Sequence, residues 1–233
     1  MAYLEVKGLK KSFGNNRVLR GVDFFLERGR TLTLVGASGN GKTTLLRCLT
    51  LLETPDSGTV TLGETTVNFG EDKKSIDSKI NAIRGKIGLV FQNFNLFPQY
   101  TAFENVLLPL KLYENERRKK GLPPLNTSDE SRAKEILCGM GLNDKLDLYP
   151  CQLSGGQQQR VAISRAIAFE PTVLCFDEPT SALDPALSDE VAKLINSLKN
   201  IAVIVVTHDL SFAKKISDIT LEVSDGVVKP VQL

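Results

Sequence analysis

The sequence predicts an α/β protein with a parallel sheet covered on both faces and a mostly helical insertion. Three observations carry this expectation. "TLTLVG", "TVLCFDEP" and "IAVIVVTHD" are short, near-continuous apolar runs, the pattern of strands buried on both faces of a parallel sheet. Segments with helical spacing, such as "KTTLLRCLTLL" and "PALSDEVAKLINSLKN", alternate with them. Between about residues 93 and 160 the character becomes mostly helical, with a loop containing Pro and Gly in its midst.

In chain order, "AYLEVKGL" and "RVLRGVDFFLERG" read as strands, bounded by turn residues at "GNN" and "RGR". "TLTLVG" is a buried strand ending on a glycine-rich loop. "KTTLLRCLTLL" then repeats apolar residues at helical spacing until "TPDSG" stops it with Pro and Gly. "GTVTLGETTVNF" alternates as a hairpin does, and "KIGLVFQ" reads as another buried strand. "FENVLLPLKLYENERRKKG" and "DESRAKEILCGMGL" supply the helices of the insertion. "RVAISRAIAFEP" is a helix ended by Pro171, "TVLCFDEP" a strand, "PALSDEVAKLINSLKN" an amphipathic helix and "IAVIVVTHD" the last buried strand. The expected organisation is one domain over 1–233, with 1–92 and 161–233 as the α/β lobe and 93–160 as the helical lobe. Function in such a sheet belongs at the carboxyl ends of its strands.

Composition narrows the partners. Hydrophobic residues make up 42% and charged residues 24%, ordinary values for a folded chain of 233 residues. A net charge of +2 is too small for a nucleic-acid footprint, so no nucleic-acid partner is expected. The basic run Arg117 to Lys120 sits beside Glu114 and Glu116 and reads as a solvated helix end. Cys48, Cys138, Cys151 and Cys175 form no CxxC pair, which suggests reduced thiols in a reducing compartment. No signal peptide or membrane-spanning run is apparent.

Two motifs carry chemistry on their own. "GASGNGKTT" comprises Gly36, Ala37, Ser38, Gly39, Asn40, Gly41, Lys42, Thr43 and Thr44, and fits GxxxxGK[ST] between a strand and a helix. Its glycines let backbone N–H groups face phosphates, and the following helix adds its positive end. Lys42 would reach the β and γ phosphates and Thr43 would coordinate Mg²⁺. "TVLCFDEP" brings Asp177 and Glu178 to the end of a buried strand, a costly place for adjacent carboxylates without a cation. Asp177 reads as the Mg²⁺ holder and Glu178 as the base that orients or deprotonates the attacking water; the alternative is an N-cap pair for the next helix. Ser154, Gly155 and Gly156 in "LSGGQQQR" form a second anion-receptive helix N-terminus, or simply a Ser-capped helix. His208, the single histidine, ends the strand "IAVIVV" and is either core or chemistry.

With "LSGGQ" the chain resembles the ATP-binding cassette (ABC) ATPases, over nearly its whole length and with the motifs in order. The resemblance implies an α/β P-loop NTPase fold with a mixed core sheet, an N-terminal antiparallel β-subdomain and an inserted helical subdomain, binding ATP and Mg²⁺. Phe13 takes the place of an adenine-stacking aromatic, more often Tyr; Gln92 that of the glutamine contacting Mg²⁺ and water; Ser154, Gly155, Gly156 and Gln157 that of the signature. Asp184, in "SALD", falls in the D-loop, and His208 in the switch position that contacts the γ-phosphate. It further implies an ATP-dependent head-to-tail homodimer in which the signature of one copy covers ATP on the phosphate loop of the other. Lys42, Glu178 and His208 would be its catalytic groups.

Such a subunit would lie peripherally on the cytoplasmic face of the inner membrane and drive transmembrane permease subunits through the region Gln92 to Tyr100, with a solute-binding protein as an indirect partner. "FNLFP", "TAFENV" and "DEPTSALDP" look most like the ATPases of polar amino-acid importers. The alternatives are an exporter or lipoprotein-releasing relative, or a non-transport ATPase of division or cofactor assembly. Residues 111–130 look a few residues longer than usual. The chain ends 25 residues after His208 (233 minus 208), so no substrate-sensing tail is expected.

Overall fold

The computed structural model describes residues 3–119, 121, 129–181 and 185–232. In chain order the elements are β1 (Leu4–Phe13), β2 (Asn16–Leu26), β3 (Thr31–Val35), α1 (Lys42–Leu49), β4 (Ser57–Leu62), β5 (Thr65–Asn68), α2 (Lys73–Arg84) and β6 (Ile87–Val90). There follow α3 (Ala102–Lys119), α4 (Asp129–Gly139), a short 3₁₀ turn (Pro150–Gln152), α5 (Gly155–Ile167), β7 (Val173–Asp177) and α6 (Pro185–Ser197). The chain closes with β8 (Ala202–Val206), α7 (Leu210–Ile216), β9 (Ile219–Ser224) and β10 (Val227–Pro230). Two compact units result: Met1–Leu89 with Thr172–Leu233, and Val90–Pro171.

The first unit holds an antiparallel sheet ordered β2-β1-β4-β5, and most of a six-stranded sheet ordered β10-β9-β3-β8-β7-β6. In the larger sheet β3 pairs in parallel with β8 and β9, and β7 with β8, while β10 runs antiparallel to β9. The sheet is thus mixed, as expected. Every residue of β3 and β8 is buried, which accounts for their unbroken apolar runs. Each such Val, Leu or Ile side chain contributes about 1.5–3 kcal/mol by leaving water. Because β3, β8 and β7 are neighbours and parallel, their carboxyl ends lie at one edge. Val206 is the hinge of that register, pairing with Leu34 on one side and Asp177 on the other.

The second unit packs α3, α4 and α5 around a separate apolar cluster that includes Val106, Leu110, Leu137 and Val161. Fully buried Asn105 organises the loop before α3: its Oδ1 accepts the Phe97 N–H at 2.9 Å, and its amide donates to the carbonyls of Phe97, Tyr100 and Thr101. A buried amide with these partners satisfies itself and fixes the loop.

Some elements lie outside the sequence-based reading. No element was expected at 70–85, yet α2 buries Ile76, Ile80 and Ile83 on one face; polar residues dilute this three-residue stripe. The α7, β9 and β10 segment likewise follows the last expected strand. The contact boundary falls at 90 and 171, not at 93 and 160, because α5 runs unbroken through 160 and its Val161 belongs to the helical cluster. The expected long stretch 111–130 comprises the end of α3 and the start of α4; residue 120 and residues 122–128 between them lie outside the described residues.

Candidate active site

The loop between β3 and α1 is shaped for an anion. Gly36 has φ 142° and Gly41 φ 91°, backbone states that side chains rarely adopt. A Cβ at Gly36 would also come within 2.5 Å of the Val223 carbonyl, and one at Gly41 within 2.9 Å of Val18. Gly41 is the N-cap of α1, with no side-chain cap and no acidic residue in the first turn. Its carbonyl takes the Leu45 N–H at 2.8 Å, so the N–H groups of the first helical turn have no acceptor within the helix. Those donors and the positive helix end suit phosphate. Asn40 secures the loop by donating to Val223 at 3.1 Å, while Ala37, Ser38 and Gly39 are exposed and Thr44 is half-buried.

Lys42 is buried, and its ammonium donates to the carbonyls of Gly36 at 2.8 Å and Ala37 at 3.0 Å. The same helix aims Thr43 at β7. Thr43 Oγ1 donates to Asp177 Oδ1 at 3.3 Å. Burial pushes the Asp177 carboxyl above the ordinary carboxylate range, against the opposing Thr43 hydrogen bond. A hydroxyl and a partly desolvated carboxylate side by side are hard oxygen donors that fit Mg²⁺. Among the described residues no three His, Cys, Asp or Glu side chains cluster to hold a metal by themselves. A Mg²⁺ held by Thr43 and Asp177 would therefore share its coordination with phosphate oxygens and water.

Glu178 follows at the end of β7 with φ 47°, a left-handed state uncommon for a non-glycine residue. Its N–H donates to Val206 at 2.9 Å and its carbonyl accepts the Ser181 hydroxyl at 3.1 Å, bonds that hold the turn. The Glu178 carboxylate, 15% exposed, meets His208 Nδ1 at 2.9 Å. His208 itself is 66% exposed, which answers its sequence ambiguity: the ring stands at the sheet edge, outside the core. Asp209, to which sequence reasoning gave no role, caps α7 by accepting the N–H groups of Ser211 at 2.9 Å and Phe212 at 3.0 Å. An Asp directly before a helical run was the signal that could have found it.

Lys42, Thr43, Asp177, Glu178 and His208 thus share one edge of one sheet. Phe13, at the end of β1 in the same unit, is 49% exposed. Gln92, Ser154, Gly155, Gly156 and Gln157 belong to the second unit. There Ser154 Oγ accepts the Gln157 N–H at 3.3 Å and Gln157 Oε1 accepts the Ser154 N–H at 2.9 Å, a reciprocal cap on α5. Asp184 lies outside the described residues.

A strand-to-helix phosphate loop, a hydroxyl and carboxylate fit for Mg²⁺, and a glutamate poised beside a histidine define a nucleoside triphosphatase. A family profile described as ABC transporter matches residues 19–181. The chain belongs to that family and is an ABC ATPase, which binds and hydrolyses ATP. It is 44% identical to the L-cystine import ATP-binding protein TcyC of Bacillus subtilis (strain 168), covering 97% of this chain and 88% of the relative. It is 42% identical to the L-cystine transport system ATP-binding protein TcyN of Escherichia coli (strain K12), with the same shares covered. Among solved structures, the ATP-binding cassette MJ0796, a dimer in a post-hydrolysis state bound to ADP and Pi, superposes with a TM-score of 0.79. It is 33% identical over 99% of this chain and 98% of that one.

Proposed function

We propose that the chain is the ATP-hydrolysing subunit of an ABC importer of amino acids, with L-cystine the foremost candidate. The observation that carries the chemistry is the continuous set from Lys42 through Thr43 and Asp177 to Glu178 and His208. The import role rests on the two cystine-system relatives, each similar along almost the whole chain. In this reading the chain is one ABC ATPase domain. Gly36 to Thr44 cradle the triphosphate, Lys42 contacts the β and γ phosphates, and Thr43, Asp177 and Gln92 hold Mg²⁺, which would neutralise phosphate charge. Phe13 stacks on adenine.

Glu178 directs water at the γ-phosphorus, accepting its proton as the bond to the β-γ bridging oxygen breaks and ADP and phosphate form. His208 holds the Glu178 carboxylate and contacts the γ-phosphate. Ser154, Gly155, Gly156 and Gln157 of a second copy close over that ATP, and Asp184 of the D-loop motif is assigned to nucleotide binding. The subunit sits peripherally on the cytoplasmic face of the membrane. No described helix is long and apolar enough to cross it. In this reading the solute passes through separate permease subunits, fed by a solute-binding protein.

Glu178→Gln should bind MgATP within about threefold of wild type while turnover falls roughly a hundredfold or more, the scale of losing a general base. Lys42→Ala should lose ATP affinity by titration calorimetry. Unchanged turnover in the first variant would remove Glu178 from the base role. For the transport role, radiolabelled L-cystine uptake by cells carrying only the Glu178→Gln subunit should fall to background. Undiminished uptake would overturn the cystine assignment.

A further inference from the structure

Beside the proposed site, at the end of β1, stands a lysine with an unusual set of partners. The Lys11 side chain is only 11% exposed. Its ammonium meets Glu53 Oε1 at 2.6 Å and the Thr54 carbonyl at 2.8 Å, with Asp56 Oδ1 further off at 3.8 Å. Two more bonds close the same seam: the Ser12 N–H donates to Asp56 Oδ2 at 2.7 Å, and the Asp56 N–H donates to the Lys10 carbonyl at 2.8 Å. Glu53 to Asp56 are the residues through which the chain leaves α1, the helix whose other end is the phosphate loop. Burial alone would lower the Lys11 pKa, but the Glu53 hydrogen bond and the charges of Glu53 and Asp56 outweigh it and leave it raised. The head is therefore a cation at neutral pH.

That pinned cation lies 5.0 Å from the centroid of the Phe13 ring. The register of β1 against β2 shifts between Lys11 and Ser12, and across that irregularity the strand end brings the Phe13 ring to the ammonium. A phenylalanine has no hydroxyl with which to fix itself, and this one is half in solvent. A desolvated ammonium within about 6 Å of a ring face attracts it through the ring quadrupole. Lys11 thus ties the ring to the exit of the phosphate-binding helix.

We infer that Lys11 is a positioning residue for the nucleotide base, holding the Phe13 ring at a set place relative to the phosphate loop so that base and triphosphate are met together. The inference rests on the proposed reading of Phe13 as the adenine platform. A merely structural bolt between β1 and the α1 exit would weaken every phosphate ligand alike, whereas a base-positioning residue acts only on ligands that carry a base.

The test compares MgATP with magnesium tripolyphosphate, which has the phosphates and no base, by titration calorimetry on the whole chain. Lys11→Met should weaken ATP by about three- to tenfold, the range of a cation–π contact, and leave tripolyphosphate within about twofold. Lys11→Gln, which keeps a donor for Thr54 without the charge, should do the same, and it serves if the Met variant does not fold. Lys11→Arg should recover most of the ATP affinity, and in a Phe13→Ala background Lys11→Met should add no further loss. Equal weakening of both ligands, or normal ATP binding by the Lys11 variants while Phe13→Ala is impaired, would overturn the inference alone. Normal ATP binding by Phe13→Ala would overturn the platform reading, and the inference with it.

Discussion

At the residue scale, the position of His208 depends on a cap one residue away. Asp209 holds the start of α7, and its carboxyl lies below the ordinary carboxylate range because of the Ser211 hydrogen bond first and the Phe212 N–H next. The unfolded chain thus takes up this proton at a higher pH than the native one. The stabilisation is complete above the ordinary value of about 3.9 and is lost as pH falls through the depressed native value. Asp209→Ala should cost about 1 kcal/mol at neutral pH. In thermal unfolding that is a Tm lowered by about 2–4 °C, with the gap to wild type closing in acid. A gap that persisted at low pH would mean the carboxylate is not the cap.

At the element scale, one arginine secures the segment that follows Gln92. Phe94 and Asn95 are consecutive non-glycine residues with φ 58° and 47°, a strained pair that persists only if held. Arg165 in α5 holds them, donating to the Phe94 carbonyl at 2.8 Å and the Asn95 carbonyl at 2.7 Å, with its guanidinium 5.7 Å from the Phe97 ring. A lysine cannot fork in this way. Arg165→Lys should therefore speed amide exchange in the 91–97 peptide by roughly tenfold, the equivalent of about 1.4 kcal/mol, in mass-spectrometric hydrogen exchange. Unchanged protection would mean that the loop is fixed by Asn105 alone.

The same scale shows what could be read in advance. Strands β3, β7 and β8 were legible because burial on both faces demands unbroken apolar runs, and the Gly36 to Thr44 loop because phosphate binding needs glycine and lysine at fixed spacing. Helix α2, with three isoleucines in twelve residues, leaves little periodic signal. The Lys11 and Arg165 anchors were not legible at all: their partners lie 43 and 70 residues away in sequence, and carbonyl acceptors carry no side-chain signature.

At the scale of the whole molecule, the proposed function uses two helix N-termini of the chain in different ways. That of α1 has lysine, hydroxyl, carboxylates and histidine around it, whereas that of α5 carries the reciprocal Ser154 and Gln157 cap. In that proposal the α5 terminus covers phosphate bound to a second copy, as a two-fold pair allows. The MJ0796 structure, similar over almost the full length, is itself dimeric. The account therefore requires that each hydrolytic site take its phosphate loop from one copy and its lid from the other.

Mixing two inactive variants tests this most directly. Lys42→Ala lacks a working loop but keeps the lid, and Ser154→Arg lacks the lid but keeps the loop. An equimolar mixture assayed for phosphate release should regain about a quarter of wild-type ATPase, since half of the pairs would carry one complete site of two. Activity in the mixture no higher than in either variant alone would contradict the account.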